Sequence, residues 1–221
     1  MTDTVAYRIE EVRRRIASAC QRSGRAPEEI TLIAVTKGSA ARAIREAYAA
    51  GIRHFGENRV QEAQGKIPVL PELQGVTWHM IGHLQTNKVK TAIGLFDIIH
   101  SVDSLHLAEE ISRRAPHTVP AFLEANVAGE SSKFGMSLRE ISERYESIAA
   151  LPKLEVRGLM TVAPIAAGGA QVRAVFRRLR ETARGLGIRQ LSMGMTEDFE
   201  AAIEEGATHI RIGRAIFGER G

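Results

Sequence analysis

The stretch "ITLIAVTKG", Ile30 to Gly38, is apolar for most of its length and ends on a lysine. A run without polar alternation reads as a strand buried on both faces, the pattern of a parallel sheet covered by helices. Lys37 is then either a surface charge that happens to follow a strand or an amine delivered to the mouth of a barrel for chemistry. The rest of the chain decides between these.

On either side of it, short apolar runs alternate with amphipathic ones. The strand candidates are "ITLIAVT", "HFGEN", "TWHMIG", "IIHSVD", "PAFLEANV", "VRGLMTV", "QLSMG" and "HIRIG". Between them lie helical patterns such as "AARAIREAYAAG", "SLHLAEEISRRA", "SLREISERYESIAAL" and "TEDFEAAIEEG", several ending on the glycine that commonly stops a helix. Eight strand–helix units predict an α/β fold, a single (β/α)8 TIM barrel over residues 1–221. An extra helix, "VAYRIEEVRRRIASAC", precedes the first strand, with Thr2 or Asp3 available as its cap. An open doubly wound sheet is the competitor, but "KGSAARA" after the first strand lacks the Gly-x-Gly-x-x-Gly turn, and no Walker A sequence occurs.

Composition narrows the class. Of 221 residues, 44% are hydrophobic and 25% charged, the balance of a soluble globular chain rather than a disordered one. One cysteine, Cys20, excludes an intrachain disulfide and makes a reducing cytoplasm the expected location. No signal-type apolar run opens the chain and no stretch is long enough to cross a bilayer, so secretion and membrane insertion are not expected. The net charge of +4 owes much to Arg173, Arg177, Arg180 and Arg184, which share one helix face and read as a solvated surface. Interleaved aromatics and a nucleic-acid module are missing, so no nucleic-acid partner is expected.

In a barrel, chemistry gathers where the strands end. Those ends carry Lys37; Glu57 and Asn58; His79, Gly82 and His83; Ser101; Asn126; Thr161; Ser192, Gly194, Met195 and Thr196; Arg211 and Gly213. His79 and His83 straddle a strand end and a glycine, and no carboxylate pair completes a zinc site. A serine triad would need a Gly-x-Ser-x-Gly elbow, which is absent. Cys20 lies inside the first helix as a small core residue. A lysine-centred site fits better: burial and a neighbouring cation activate an amine toward aldehydes. Arg211 supplies the cation, because strands one and eight adjoin in a closed barrel. "SMGMTEDFEAA" and "RIGRAIFG" place backbone N–H groups of residues 194–196 and 213–214 where this fold habitually binds phosphate. An aldehyde trap beside a phosphate cradle implies pyridoxal 5′-phosphate (PLP).

The motifs "AVTK", "HFGENRVQEA", "WHMIGHLQTNK", "HSVDSLHLAEEI", "GESSKFGM", "RGLMTVAP" and "LSMGMTEDFEAAIEEGATHIRIGRAIFG" span nearly the whole chain in order. Together they resemble the pyridoxal phosphate homeostasis protein family, whose barrel is similar to the N-terminal domain of alanine racemase (fold-type III PLP proteins). The resemblance implies that Lys37 holds PLP as a Schiff base. It also implies that Ser192, Gly194, Met195 and Thr196 with Arg211 and Gly213 surround phosphate and ring, and that Arg211 faces the pyridine nitrogen. Asn58, His79 and Ser101 would line the pocket. Thr196 stands where serine is usual and Arg59 where tyrosine is frequent, which leaves the outer rim open.

Two function classes follow from that resemblance: a non-catalytic binder that buffers or delivers this vitamin B6 cofactor, and a PLP enzyme such as an amino-acid racemase. A two-base racemase draws its tyrosine from a second domain. The chain ends at Gly221, and Tyr7, Tyr48 and Tyr145 fall on helical patterns, so the binder is preferred. A monomer is expected, with PLP-dependent apoenzymes as recipients. Lys133, in "SSKFG", is the rival lysine and is expected to be an exposed loop charge.

Overall fold

The computed structural model describes residues 4–130, 133–164 and 168–218. The eight expected strands are all formed: β1 (Thr31–Val35), β2 (His54–Glu57), β3 (Thr77–Met80), β4 (Ile98–Val102), β5 (Val119–Glu124), β6 (Leu154–Met160), β7 (Gln190–Ser192) and β8 (His209–Ile212). They close in sequential order, every ladder parallel, with β1 pairing β8 to seal the barrel. Most strands stop one to three residues before the apolar runs do, so the polar ends of those runs lie on the loops above the barrel.

Nine α-helices are present among the described residues: α1 (Val5–Ser23), α2 (Ala41–Ala49), α3 (Val60–Lys66), α4 (Val89–Ala92), α5 (Leu105–Arg114), α6 (Leu138–Ala149), α7 (Gly169–Gly185), α8 (Phe199–Glu204) and α9 (Arg214–Phe217). The extra helix is α1. It buries Val5, Ile9, Val12, Ile16, Ala19 and Cys20, a stripe at helical spacing, against α2, α8 and α9. Its cap is Thr4, whose hydroxyl accepts the Tyr7 amide, while Thr2 and Asp3 lie outside the described residues. Cys20 is fully buried, as its place in the stripe predicts.

Strand parity sorts the core into two parts. Phe55, Trp78, Ile99, Leu123, Leu159, Leu191, Ile210 and Ile212 point outward into the layer between sheet and helices. The lumen holds a smaller cluster of Ile98, Phe122 and Met160. Gly158 exists for that cluster: a β-carbon there would come within 2.3 Å of the Phe122 ring.

The arginine face of α7 is solvated as expected, with Arg173, Arg177 and Arg180 keeping 42–54% of their side chains exposed, and it is also paired. Arg173 pairs with Glu204, and Arg177 and Arg180 reach Glu205 at 2.9 and 3.3 Å. The reason is tertiary: α7 packs on α8, whose C-terminal end presents these carboxylates. Among the described residues no helix is long and apolar enough to cross a membrane.

Candidate functional site

Lys37 sits on the turn just above β1 and is exposed at the barrel mouth. Burial of this lysine was expected and is not found, because the strand ends at Val35 and the turn carries residue 37 beyond the last packed layer. Strand alternation ends with β1, so it fixes the side of Ile33 and Val35 and not that of Lys37. Ile33 lies against the lumenal face of Gly56, so Ile33 and Val35 share the lumenal side of β1, and Lys37 follows two residues later on the turn at the mouth.

The turn is braced from behind by a charge cluster that sequence reasoning missed. Thr36 donates its hydroxyl to Glu57 at 2.6 Å, and its carbonyl accepts Lys66 Nζ at 2.6 Å. Lys66 also contacts Glu57 at 2.5 Å and Glu62 at 2.7 Å, and Glu62 accepts the Gly38 amide at 2.6 Å. Both neighbours of Lys37 are therefore tied to one buried ammonium and its two carboxylates. Burial raises the Glu57 carboxyl above its ordinary value, against the pull of Lys66 and Thr36. The Glu62–Lys66 spacing of four was a readable helix pair. Nothing local showed that Glu57 would meet it.

Arg211 lies deep in the lumen, with its Cα opposite Ile33 of β1. Ile33 precedes Lys37 by four residues, so Arg211 lies well below the turn that carries the lysine. Arg211 is 4% exposed, and its guanidinium donates to Ser192 Oγ at 2.6 Å and to the Thr161 carbonyl at 2.8 Å. Burial pulls it down to about 10, against the carboxylates of Asp198 and Glu124, so it stays charged at neutral pH. Glu124 closes the top of β5. Burial first, then repulsion from Asp103, pushes its carboxyl up to about 7, with Arg211 opposing.

The β7 turn forms as the glycine pattern requires. Gly194 has φ +95°, and a β-carbon there would stand 2.6 Å from that of Ala202. Gly194→Ala is expected to cost about 1–3 kcal/mol through overpacking, read as a lowered urea midpoint. Met195 does not offer the open amide expected of it: its N–H is bonded to Asp198 Oδ1 at 2.6 Å. Asp198 and Phe199 turn back on the Met195 carbonyl, which leaves the amides of Thr196 and Glu197 without a protein acceptor among the described residues. Gly213 adjoins Val35 and opens α9.

Asn58 and Ser101 come to the same mouth. Asn58 Oδ1, Ser101 Oγ and Glu124 Oε2 are buried with no hydrogen-bond partner. Three orphaned polar atoms at the ends of three strands fit a polar ligand seated over the lumen. Gly82 permits Asn58 its place, since a β-carbon there would lie 2.2 Å from the Asn58 carbonyl oxygen.

Other candidates are spoken for. His79 is fully buried inside the barrel, not at the rim, with both ring nitrogens engaged by His54 and His100. His83 stacks on Phe134 at 3.7 Å and pairs with Asp103. Asn126 spends its side-chain amide on the backbone of Gly129, Glu130 and Lys133. Lys133 is not a free loop charge: its Nζ contacts the Ala163 carbonyl, just beyond β6, at 3.2 Å and Glu130 at 3.1 Å. No group of side chains suited to a metal ion occurs among the described residues.

A barrel with these strand ends defines a class. The family model described as alanine racemase, N-terminal domain, matches residues 8–221, and the chain belongs to that family. Alanine racemase of Clostridium difficile shares the fold at TM-score 0.75 and 12% identity, covering 99% of this chain and 57% of its own. Within the class, the chain belongs to the pyridoxal phosphate homeostasis proteins. It is 45% identical to the protein of that name from Pseudomonas aeruginosa over 98% of this chain and 96% of the relative. The Escherichia coli K12 protein of that name is 41% identical, over 98% and 97% of the two chains. PipY of Synechococcus elongatus, solved with PLP bound, superposes at TM-score 0.86 and 38% identity, over 97% of this chain and all of PipY.

Proposed function

We propose that this protein binds PLP at the barrel mouth, attached through Lys37, and holds it for cofactor homeostasis rather than for rapid turnover. One observation carries the reading. Lys37 stands on the turn after β1, Arg211 lies in the lumen on β8, which pairs with β1, and three buried polar atoms at the strand ends have no protein partner. The pyridoxal phosphate homeostasis relatives and the PLP-bound PipY structure support it.

When bound, the cofactor supplies an aldehyde that reacts with amines and a pyridine ring that withdraws electrons. Lys37 supplies the amine. Arg211, charged and fixed by Ser192, faces the ring nitrogen as a donor and leaves that nitrogen without a proton of its own, a weaker electron sink. The amides about Thr196 and Gly213 and the Thr196 hydroxyl take the phosphate, within the turn that Gly194 and Met195 shape. Asn58, Ser101 and Glu124 meet the polar edge. Ser192 acts through Arg211, since its oxygen is already shared between Arg211 and His100. The protein would work as a cytoplasmic monomer that surrenders PLP to apoenzymes.

The phosphate is the main hold in this reading. Each hydrogen bond to a charged group contributes roughly 1.5–3 kcal/mol. Pyridoxal, which lacks the phosphate, is therefore expected to bind about two orders of magnitude more weakly than PLP. Absorbance titration of both ligands on one preparation measures this. Equal affinities would remove the cradle after β7 and β8 from the account.

A second reading, catalysis on an amino acid, draws on Glu124, because a carboxyl near 7 suits proton transfer. Against it, Tyr7, Tyr48 and Tyr145 all sit on the outer helices α1, α2 and α6, away from the mouth. The PLP-loaded protein, mixed with L-alanine in deuterated water, is expected to show no fast exchange at the α carbon. Exchange at ordinary enzyme rates, about 1–10³ per second, would establish the enzyme instead.

A further inference from the structure

The lumen of a TIM barrel is ordinarily packed with branched aliphatic side chains. Here imidazoles occupy much of it, and three of them are joined end to end. His54 Nδ1 lies 3.0 Å from His79 Nε2, His79 Nδ1 lies 2.9 Å from His100 Nε2, and His100 Nδ1 lies 2.9 Å from Ser192 Oγ. Ser192 Oγ accepts Arg211 Nη1–H at 2.6 Å. The file runs from half-buried His54, the first residue of β2, to the guanidinium near the end of β8.

At each histidine link a nitrogen faces a nitrogen, so one carries a proton and the other does not. The rings are neutral at pH 7: burial first, then mutual repulsion, hold His79 and His100 well below the ordinary imidazole value, and burial lowers His54. A neutral imidazole has one N–H and one acceptor. The choice made at one link therefore dictates the next, and the whole file has two states. In the first, every ring is protonated on Nε2, and donation runs from Arg211 through the Ser192 hydroxyl to His100, His79 and His54. In the second, every ring is protonated on Nδ1 and donation runs the other way. The Ser192 oxygen then receives two donors, and its own hydrogen has no acceptor among the described residues. An unpaired donor at a fully buried serine is costly, and the first state has none.

We propose that His54, His79 and His100 form a hydrogen-bonded file of single polarity, protonated on Nε2 throughout. Through the Ser192 hydroxyl, the file positions the Arg211 guanidinium. The three histidines and Ser192 are positioning residues, since none needs to touch the ligand. His100 is also held flat against Phe122, ring centroids 4.3 Å apart, which fixes the direction of its Nδ1. The assignment deepens the cofactor reading by naming what sets Arg211, and it rests on that reading only where PLP is used as a probe.

Two-bond proton–nitrogen correlation spectra of the ¹⁵N-labelled, ligand-free protein at neutral pH test the file. The expected pattern is a pyridine-type Nδ1 and a pyrrole-type Nε2 in all three rings. A protonated Nδ1 in any of them, or a charged ring, overturns the proposal. This measurement uses no cofactor, so a failure of PLP to bind would leave it standing. Ser192→Ala removes the donor at the head of the file. It is expected to move His100 Nδ1 to the position of an unbonded pyridine-type nitrogen. It should also weaken PLP about tenfold, the loss of one hydrogen bond to a charged group. An unchanged His100 signal, or unchanged PLP affinity in a folded variant, overturns the link to Arg211. Should the variant not fold, the wild-type tautomers alone decide.

Discussion

Lys37→Ala is expected to abolish the covalent hold on PLP while leaving the barrel folded. The side chain is exposed and follows the last residue of β1, so removing it opens no core cavity. Surface truncations of this kind shift stability by about 0.5 kcal/mol or less. The loss should therefore be chemical: no near-visible absorbance on adding PLP, and no mass increase of the protein after borohydride reduction. Residual reversible binding through the phosphate is expected to persist, because the Thr196 and Gly213 amides remain. Lys133 is the rival. Its ammonium is held against Glu130 and the Ala163 carbonyl, which must be given up before it can attack an aldehyde. A reduced adduct on Lys133 in Lys37→Ala, at wild-type yield, would transfer the role to it.

The second large effect belongs to Lys66→Met. Methionine can replace the methylene stem but not the ammonium, which sits among Thr36, Glu57 and Glu62. The Glu57 side chain has no exposed surface and the Lys66 side chain 10%, so the variant strands a buried carboxylate. Breaking a buried pair by removing one partner costs about 3–5 kcal/mol. The sign of its pH dependence follows from linkage. Glu57 already holds its proton more tightly folded than the ordinary carboxyl does, and without Lys66 it holds it more tightly still. A carboxyl raised on folding favours the native state at low pH, and that advantage is lost as pH rises through the folded value. The deficit of Lys66→Met in urea unfolding should thus be smallest in acid and widen toward neutrality. A second readout separates bracing from stability. With Thr36 and Gly38 released, the Lys37 turn loosens, and PLP affinity should fall in the folded fraction. A deficit below about 1 kcal/mol, the worth of an exposed pair, with unchanged PLP affinity would remove Lys66 from the site.

Much of the architecture was legible in the sequence because it is periodic. Continuous apolar runs separated by amphipathic ones identified eight strands, their order and the closing of β1 on β8. Alternation within a strand follows the same local rule: Ile33 and Val35 face one way because side chains in a strand repeat every two residues. Glycines marked the turn at residue 194 for the same local reason, a backbone conformation that other residues resist.

Contacts between elements were not legible. The bond of Met195 N–H to Asp198, the tether on Lys133 and the pairing of the α7 arginines depend on where loops and helices come to rest. The histidines show the limit most clearly. Sequence placed His79 at a strand end, near the rim. Closure of the barrel instead brought together His54 of β2, His79 of β3, His100 of β4 and Ser192 of β7, residues up to 138 positions apart. A chain's own periodicity determines which side chains face inward; which of them meet across the lumen depends on strand register and closure, and these belong to the tertiary structure alone.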